Sequence, residues 1–243
     1  MVSVRRGLVV GSAVLAVLLG ALATTVGLGF FGWGIGLTCG VVTMVAVERG
    51  ATGALGPADL ITLARAVLTC ALAALVADSF LHDAAVAALV ALAILALVSD
   101  AVDGWVARRT RTVSTFGARF DGEVDAFLIL VLSVYVANTV HGWVLAIGLA
   151  RYAFAAAGWV LPWMLGQLPP RYWRKVVTAV QGIVLTVAAA AVAPLWLTTV
   201  ALVVALALLT ESFGRDVLWL WHHRPPWRER LTGPDGRFHM PRP

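Results

Sequence analysis

The sequence predicts an all-α, polytopic membrane helical bundle: six core helices preceded by an N-terminal transmembrane hairpin. Three observations lead there. Hydrophobic residues make up 60% of the 243-residue chain and charged residues 13%, and the mean hydropathy is +0.90, far from the balance of a soluble domain. Apolar runs long enough to cross a bilayer recur from Gly7 to about residue 213. The cations, nearly all arginine with Lys175 the only lysine, lie mostly between those runs, which suits membrane orientation. That placement argues against a nucleic-acid partner despite the net charge of +5. Cys39 and Cys70 both lie in apolar runs and read as small buried hydrophobes.

The first run, Gly7 to Val47, is about twice the hydrocarbon thickness at ~1.5 Å per residue. Glycines between Gly27 and Gly36 interrupt it, so two spans are expected, 7–27 and 30–47, ended by Glu48 and Arg49. Residues 1–50 form this pair. They hold no acid but Glu48, so the pair is expected to be dispensable for chemistry. Gly50 to Gly56 is a linker, and Pro57 starts a helix ending near Asp78. Ala84 to Ser99 is apolar and delivers Asp100, with the helix continuing through Arg109. Ser114 or Thr115 caps the next helix, which runs through Asn138. Further spans are expected at 143–165, 173–193 and 195–213, giving eight in all. Residues 57–213 form the core and 214–243 a basic, tryptophan-rich tail suited to the headgroup layer. Residues beyond Leu231 are expected to be disordered.

The stretch Asp100 to Asp125 carries the chemistry. Asp100, Asp103, Gly104, Ala107 and Arg108 fall on one helical face, as do Gly117, Asp121 and Asp125. A short connection between two such helices can gather four carboxylates. Their mutual repulsion calls for a divalent cation, and oxygen ligands favour Mg²⁺, Mn²⁺ or Ca²⁺. Arg151 sits mid-run, where a charge faces the protein interior or an aqueous cavity. It reads either as a partner for a buried acid or as an anion ligand; the second is favoured because the acids open onto the same half of the membrane. Arg171, Arg174 and Lys175 follow in the next loop and can extend that positive pocket. The loops assigned outside, near 28–32, 78–83, 139–142 and 194, contain no Lys or Arg. The acid motif and both termini are therefore expected on the cytoplasmic side.

The pattern D-x-x-D-G-x-x-A-R-x8-G-x3-D-x3-D, filled at every fixed position from Asp100 to Asp125, resembles the signature of the CDP-alcohol phosphatidyltransferases. Pro57, Thr62 and Arg65 are similar to the start of that family's first core helix, with Asp59 where Asn is usual, adding a fifth acid nearby. Arg65 can also be read as a positive-inside anchor. Members that make phosphatidylglycerol phosphate often carry G-K-x-K-T-x-x-Q. Here Lys175, Thr178 and Gln181 match it, while Arg174 and Val177 replace the Gly and the second Lys.

The resemblance implies transfer of a phosphatidyl or other substituted phosphate group. The donor is CDP-diacylglycerol or another CDP-alcohol, the acceptor a polar alcohol, and CMP is released. It implies a site for two Mg²⁺ or Mn²⁺ ions ligated by Asp100, Asp103, Asp121 and Asp125, with Asp125 also the general base. Gly104, Ala107, Arg108, Gly117, Thr62 and Arg65 would line the CDP site, and Arg151, Arg171, Arg174 and Lys175 would bind the acceptor. Membrane lipid is the surrounding partner, and a homodimer is common in the family. The rival reading is a cation or proton transporter using the intramembrane acids. Against it, those acids lie at a helix end and no other span continues a path.

Overall fold

A computed structural model describes residues 2–51, 53–110, 115–166, 168–169 and 172–223; for 103–110, 115 and 165 it describes the backbone alone. Among the described residues there are eight α-helices and no extended strand: α1 (Val4–Val26), α2 (Phe30–Gly50), α3 (Pro57–Asp78), α4 (Val86–Thr110), α5 (Thr115–Thr139), α6 (Leu145–Val160), α7 (Tyr172–Ala190) and α8 (Leu195–His222).

The hairpin turns at Gly27, whose φ of 73° is open to glycine at no steric cost. Pro57 opens α3 and Asp59 caps it, its carboxylate accepting the Gly56 N–H at 2.8 Å. The fifth acid is thus committed to a helix start. From Thr62 onward α3 is almost wholly buried, packed among α1, α2, α4 and α5. Its Ala66, Ala71, Ala73, Ala74 and Ala77 keep that helix thin. In a bilayer, where apolar burial does not drive helices together, such close approach supplies the attraction. A Cβ on Gly32 of α2 would stand 2.9 Å from the Ala74 carbonyl oxygen, so only glycine permits this contact. Around α3 the core closes through α5 on α6 and α7, α7 on α4, and α8 on α7 and α6.

The N-terminal pair is fastened to α3 at both ends. At one end Val2 and Leu55 exchange backbone hydrogen bonds of 3.1 and 2.9 Å. At the other the buried Asp78 carboxylate accepts the Gly29 N–H at 3.1 Å and pairs with His82 at 3.1 Å.

Six helices, counting α6 with the 3₁₀ turn before it, are long and apolar enough to cross a membrane. The other two of the eight expected spans are α4, apolar only over Val86–Val102, and α5, whose first half carries Arg119, Asp121, Glu123 and Asp125. These are the helices that bear the motif. Three boundaries differ from expectation. Glu48 and Arg49 lie inside α2 rather than ending it. The 143–165 span breaks at Leu161, where Pro162 starts a separate 3₁₀ turn. Finally, α8 continues to His222, so Trp219 and Trp221 extend a helix. His222 and His223 each bond a carbonyl one turn back. Residues 224–243, including the stretch beyond Leu231, lie outside the described residues.

Candidate active site

Three helices converge on one group of side chains. Asp100 comes from just past the middle of α4, Asp121 and Asp125 from successive turns of α5, and Arg65 from the third turn of α3. One carboxylate oxygen from each aspartate lies within 4.8 Å of the others. Arg65 is fully buried behind them. Its Nη1 pairs with Asp100, and its Nη2 reaches Asp121 at 2.5 Å and Asp125 at 3.1 Å. The Arg65 Nη2 also donates to the Asp121 backbone oxygen at 3.3 Å. The planar guanidinium thus fixes two helices at once. The acid side chains are 46%, 36% and 25% exposed, so the carboxylates face outward over an enclosed cation.

The charges do not balance. Three carboxylates contribute −3 and Arg65 +1, a formal −2. Hard oxygen donors this close, with two uncompensated charges, fit a Mg²⁺- or Mn²⁺-class cation. Asp103 is one turn beyond Asp100 on α4, where the backbone is helical, but its side chain lies outside the described residues. The same holds for Gly104, Ala107 and Arg108. Gly117 is one turn before Asp121 on α5. Thr62 is buried one turn before Arg65, its hydroxyl donating to the Ala58 oxygen at 3.2 Å. Arg65 is no surface anchor.

Two cavities flank the acids. One, of about 640 Å³, is apolar and runs between α2 (Val42, Thr43, Ala46) and α5 (Phe116, Phe120, Phe127). The other, of about 400 Å³, is the more polar of the two and takes in Asp125, Arg151, Arg174, Thr178 and Gln181. Glu123 and Tyr152 line both.

The expected cationic pocket is largely answered from within the chain. Arg151, 47% exposed, pairs with Glu123 at 2.5 Å, not with the acid cluster or Asp59. Arg174 pairs with the buried Asp216 of α8 at 3.2 Å and donates to the Pro169 carbonyl. Lys175 is exposed, and Arg171 lies outside the described residues.

Residues 56–210, well over half of the chain, match the family model described as CDP-alcohol phosphatidyltransferase. The chain belongs to that family. No curated protein and no solved structure matches it. As a CDP-alcohol phosphatidyltransferase it is an integral-membrane enzyme that takes a phosphatidyl group from a CDP-alcohol and passes it to an alcohol. The match begins at Gly56 and leaves α1 and α2 outside it.

Sequence reasoning missed Glu123, Tyr152 and Asp216. Glu123 lies between two motif acids but off their face, and reads as solvated helix surface. Asp216 falls after the last expected span. A lone acid just past an apolar run, with unpaired arginines elsewhere, was the one signal available for it.

Proposed function

We propose that this chain transfers the phosphatidyl group of CDP-diacylglycerol to a hydroxyl of a small polar acceptor, releasing CMP. One observation carries the reading: Asp125 of the acid cluster lines a cavity that shares Glu123 and Tyr152 with a second, more apolar one. An acyl chain suits the apolar one, because its walls are mostly apolar side chains of α2 and α5 and it borders the other at Glu123 and Tyr152.

Asp100, Asp121 and Asp125, with Asp103 on the same face, would hold the divalent cation or cations. When bound, these supply charge neutralisation and orientation of the donor diphosphate. Gly104, Ala107, Arg108 and Gly117, near the acids along the chain, and Thr62, one turn before Arg65 on α3, form the CDP side. Arg65 acts through the acids, spacing the carboxylates of α4 and α5. The acceptor occupies the polar cavity, where Asp125 reaches its hydroxyl. In the reaction the hydroxyl oxygen bonds to the lipid-linked phosphorus and its proton passes to Asp125. The bond from that phosphorus to the bridging oxygen breaks, and CMP departs with the electron pair. The arginine distribution supports a site on the cytoplasmic face.

The test is CMP release by the purified full chain from labelled CDP-diacylglycerol, with Mg²⁺ or Mn²⁺ and separate acceptors. Glycerol phosphate, inositol phosphate and serine form the panel. Release should require both metal and one of the acceptors, and EDTA should stop it. Undiminished turnover in EDTA rejects the metal site. A soluble CDP-alcohol outperforming CDP-diacylglycerol rejects the donor.

A further inference from the structure

Two buried residues on the wall of the more polar cavity, Gln181 and Ser212, leave polar side-chain atoms uncommitted. Gln181 of α7 is 2% exposed, and its amide nitrogen has no hydrogen-bond partner. Ser212 of α8 is 6% exposed and lines the same cavity. The other buried Ser and Thr hydroxyls among the described residues do what such groups do in membrane helices, bonding the carbonyl one turn back. Thr62, Thr69, Ser133, Thr186 and Thr198 all follow that rule. Ser212 does not. A buried amide nitrogen with no partner, on the same cavity wall as a hydroxyl that bonds no carbonyl, is costly in a bilayer unless something polar comes to meet it.

The chemistry of the visitor follows from what is left. The cavity's arginines already face carboxylates, Arg174 at Asp216 and Arg151 at Glu123. The unanswered groups are neutral: the Gln181 amide nitrogen donates, and the Ser212 hydroxyl donates and accepts. They match an uncharged hydroxyl, itself donor and acceptor. Asp125 lies on the same wall. Because Asp125 receives the reacting hydroxyl, the group met by Gln181 and Ser212 is a different one.

We propose that Gln181 and Ser212 form a subsite for a non-reacting hydroxyl of the acceptor, so that the acceptor is a polyol and not an amino alcohol. The subsite rests on the transferase reading above and deepens it. It also gives α8 a share in substrate choice, since Ser212 lies just past the family match.

The experiment uses the full chain in detergent with labelled CDP-diacylglycerol and Mg²⁺. CMP release is measured against glycerol phosphate, inositol phosphate and serine, for the wild type, Gln181→Leu and Ser212→Ala. One of the two polyol phosphates should be the preferred acceptor. Gln181→Leu should raise its KM about tenfold, the worth of one ordinary hydrogen bond. Ser212→Ala should raise it by less, and the donor KM should not move. Without substrates, Gln181→Leu should melt no lower than the wild type, because it removes a polar group that lacks a partner. Should leucine not be accommodated, the smaller Ser212→Ala change carries the same comparison. Acceptor KM values within twofold of wild type, or both KM values rising together with a fall in melting temperature, would show that a resident water or packing explains the pair. Serine as the best acceptor would overturn the polyol assignment. A wild type that releases no CMP with any acceptor would defeat the transferase reading itself, and the subsite with it.

Discussion

Replacing Arg65 by methionine should loosen the protein in chelator and leave it nearly intact in magnesium. The side chain is fully buried, and it is the cation the structure sets among Asp100, Asp121 and Asp125. Breaking a wholly buried ion pair costs about 3–5 kcal/mol. Here the acids keep part of their water. Asp100 and Asp121, 46% and 36% exposed, count nearer exposed pairs, at about 0.5–1 kcal/mol each. Asp125, 25% exposed, counts for somewhat more. The loss is then about 2–3 kcal/mol, with methionine filling much of the volume. At roughly 2–4 °C per kcal/mol for a chain of this size, Tm falls by about 4–12 °C. Fluorescence-detected melting of the purified protein measures it. Added Mg²⁺ should recover more in the variant than in the wild type, since the formal charge to be neutralised grows from −2 to −3. A variant that melts within 1 °C of wild type in EDTA would show that Arg65 does not hold α4 and α5 together. Equal responses to Mg²⁺ would show that the acids do not bind it as a group.

Three further outcomes are expected. Asp125→Asn should lower kcat by about 10²–10⁴ while CDP-ligand binding stays detectable by calorimetry; a wild-type rate removes Asp125 as the base. Arg151→Ala should raise the KM of an anionic acceptor about tenfold and shift Tm by little, because its exposed pair with Glu123 is worth about 0–1 kcal/mol. Glu123→Gln should move the same KM the other way, and equal effects on both substrates would reject an acceptor role. A chain beginning after residue 51 should express poorly and melt at a lower temperature, although every proposed catalytic group lies on α3 to α8. Full stability and activity in that shortened chain would show that the pair is dispensable for folding as well as for chemistry.

That last point marks where the amino-acid sequence stops being legible. Hydropathy locates α1 to α3 within a few residues, because each is bounded by glycine, proline or charge. The spacing from Asp100 to Asp125 places its acids on helix faces, and the three with described side chains do meet. What one helix does to another is harder to read. Arg65 looks like an ordinary membrane-interface cation until α4 and α5 are folded over it. Arg174 looks like a phosphate ligand until α8 proves longer than its apolar stretch and brings Asp216 beside it. The hairpin looks like an appendage because it lacks acids, yet Gly32 and the alanines of α3 are shaped to each other. Each of these depends on a partner distant in sequence, and periodicity within one helix carries no trace of it.

The two-ended fastening of the hairpin bears on which lipids the enzyme can use. A helix tied at one end can swing aside and admit a chain of any girth. With Val2 bonded to Leu55 and Gly29 to Asp78, the hairpin is tied at its open end and at its turn, and α2 lies packed along α3. The bore of the apolar cavity is therefore set by side chains such as Val42 and Ala46 facing the α5 phenylalanines. If an acyl tail lies there, α2 acts as a ruler. Tail length and unsaturation would be graded by a helix that takes no part in the chemistry and lies outside the family-matching region, and a single exchange of alanine for a bulkier residue would recalibrate it.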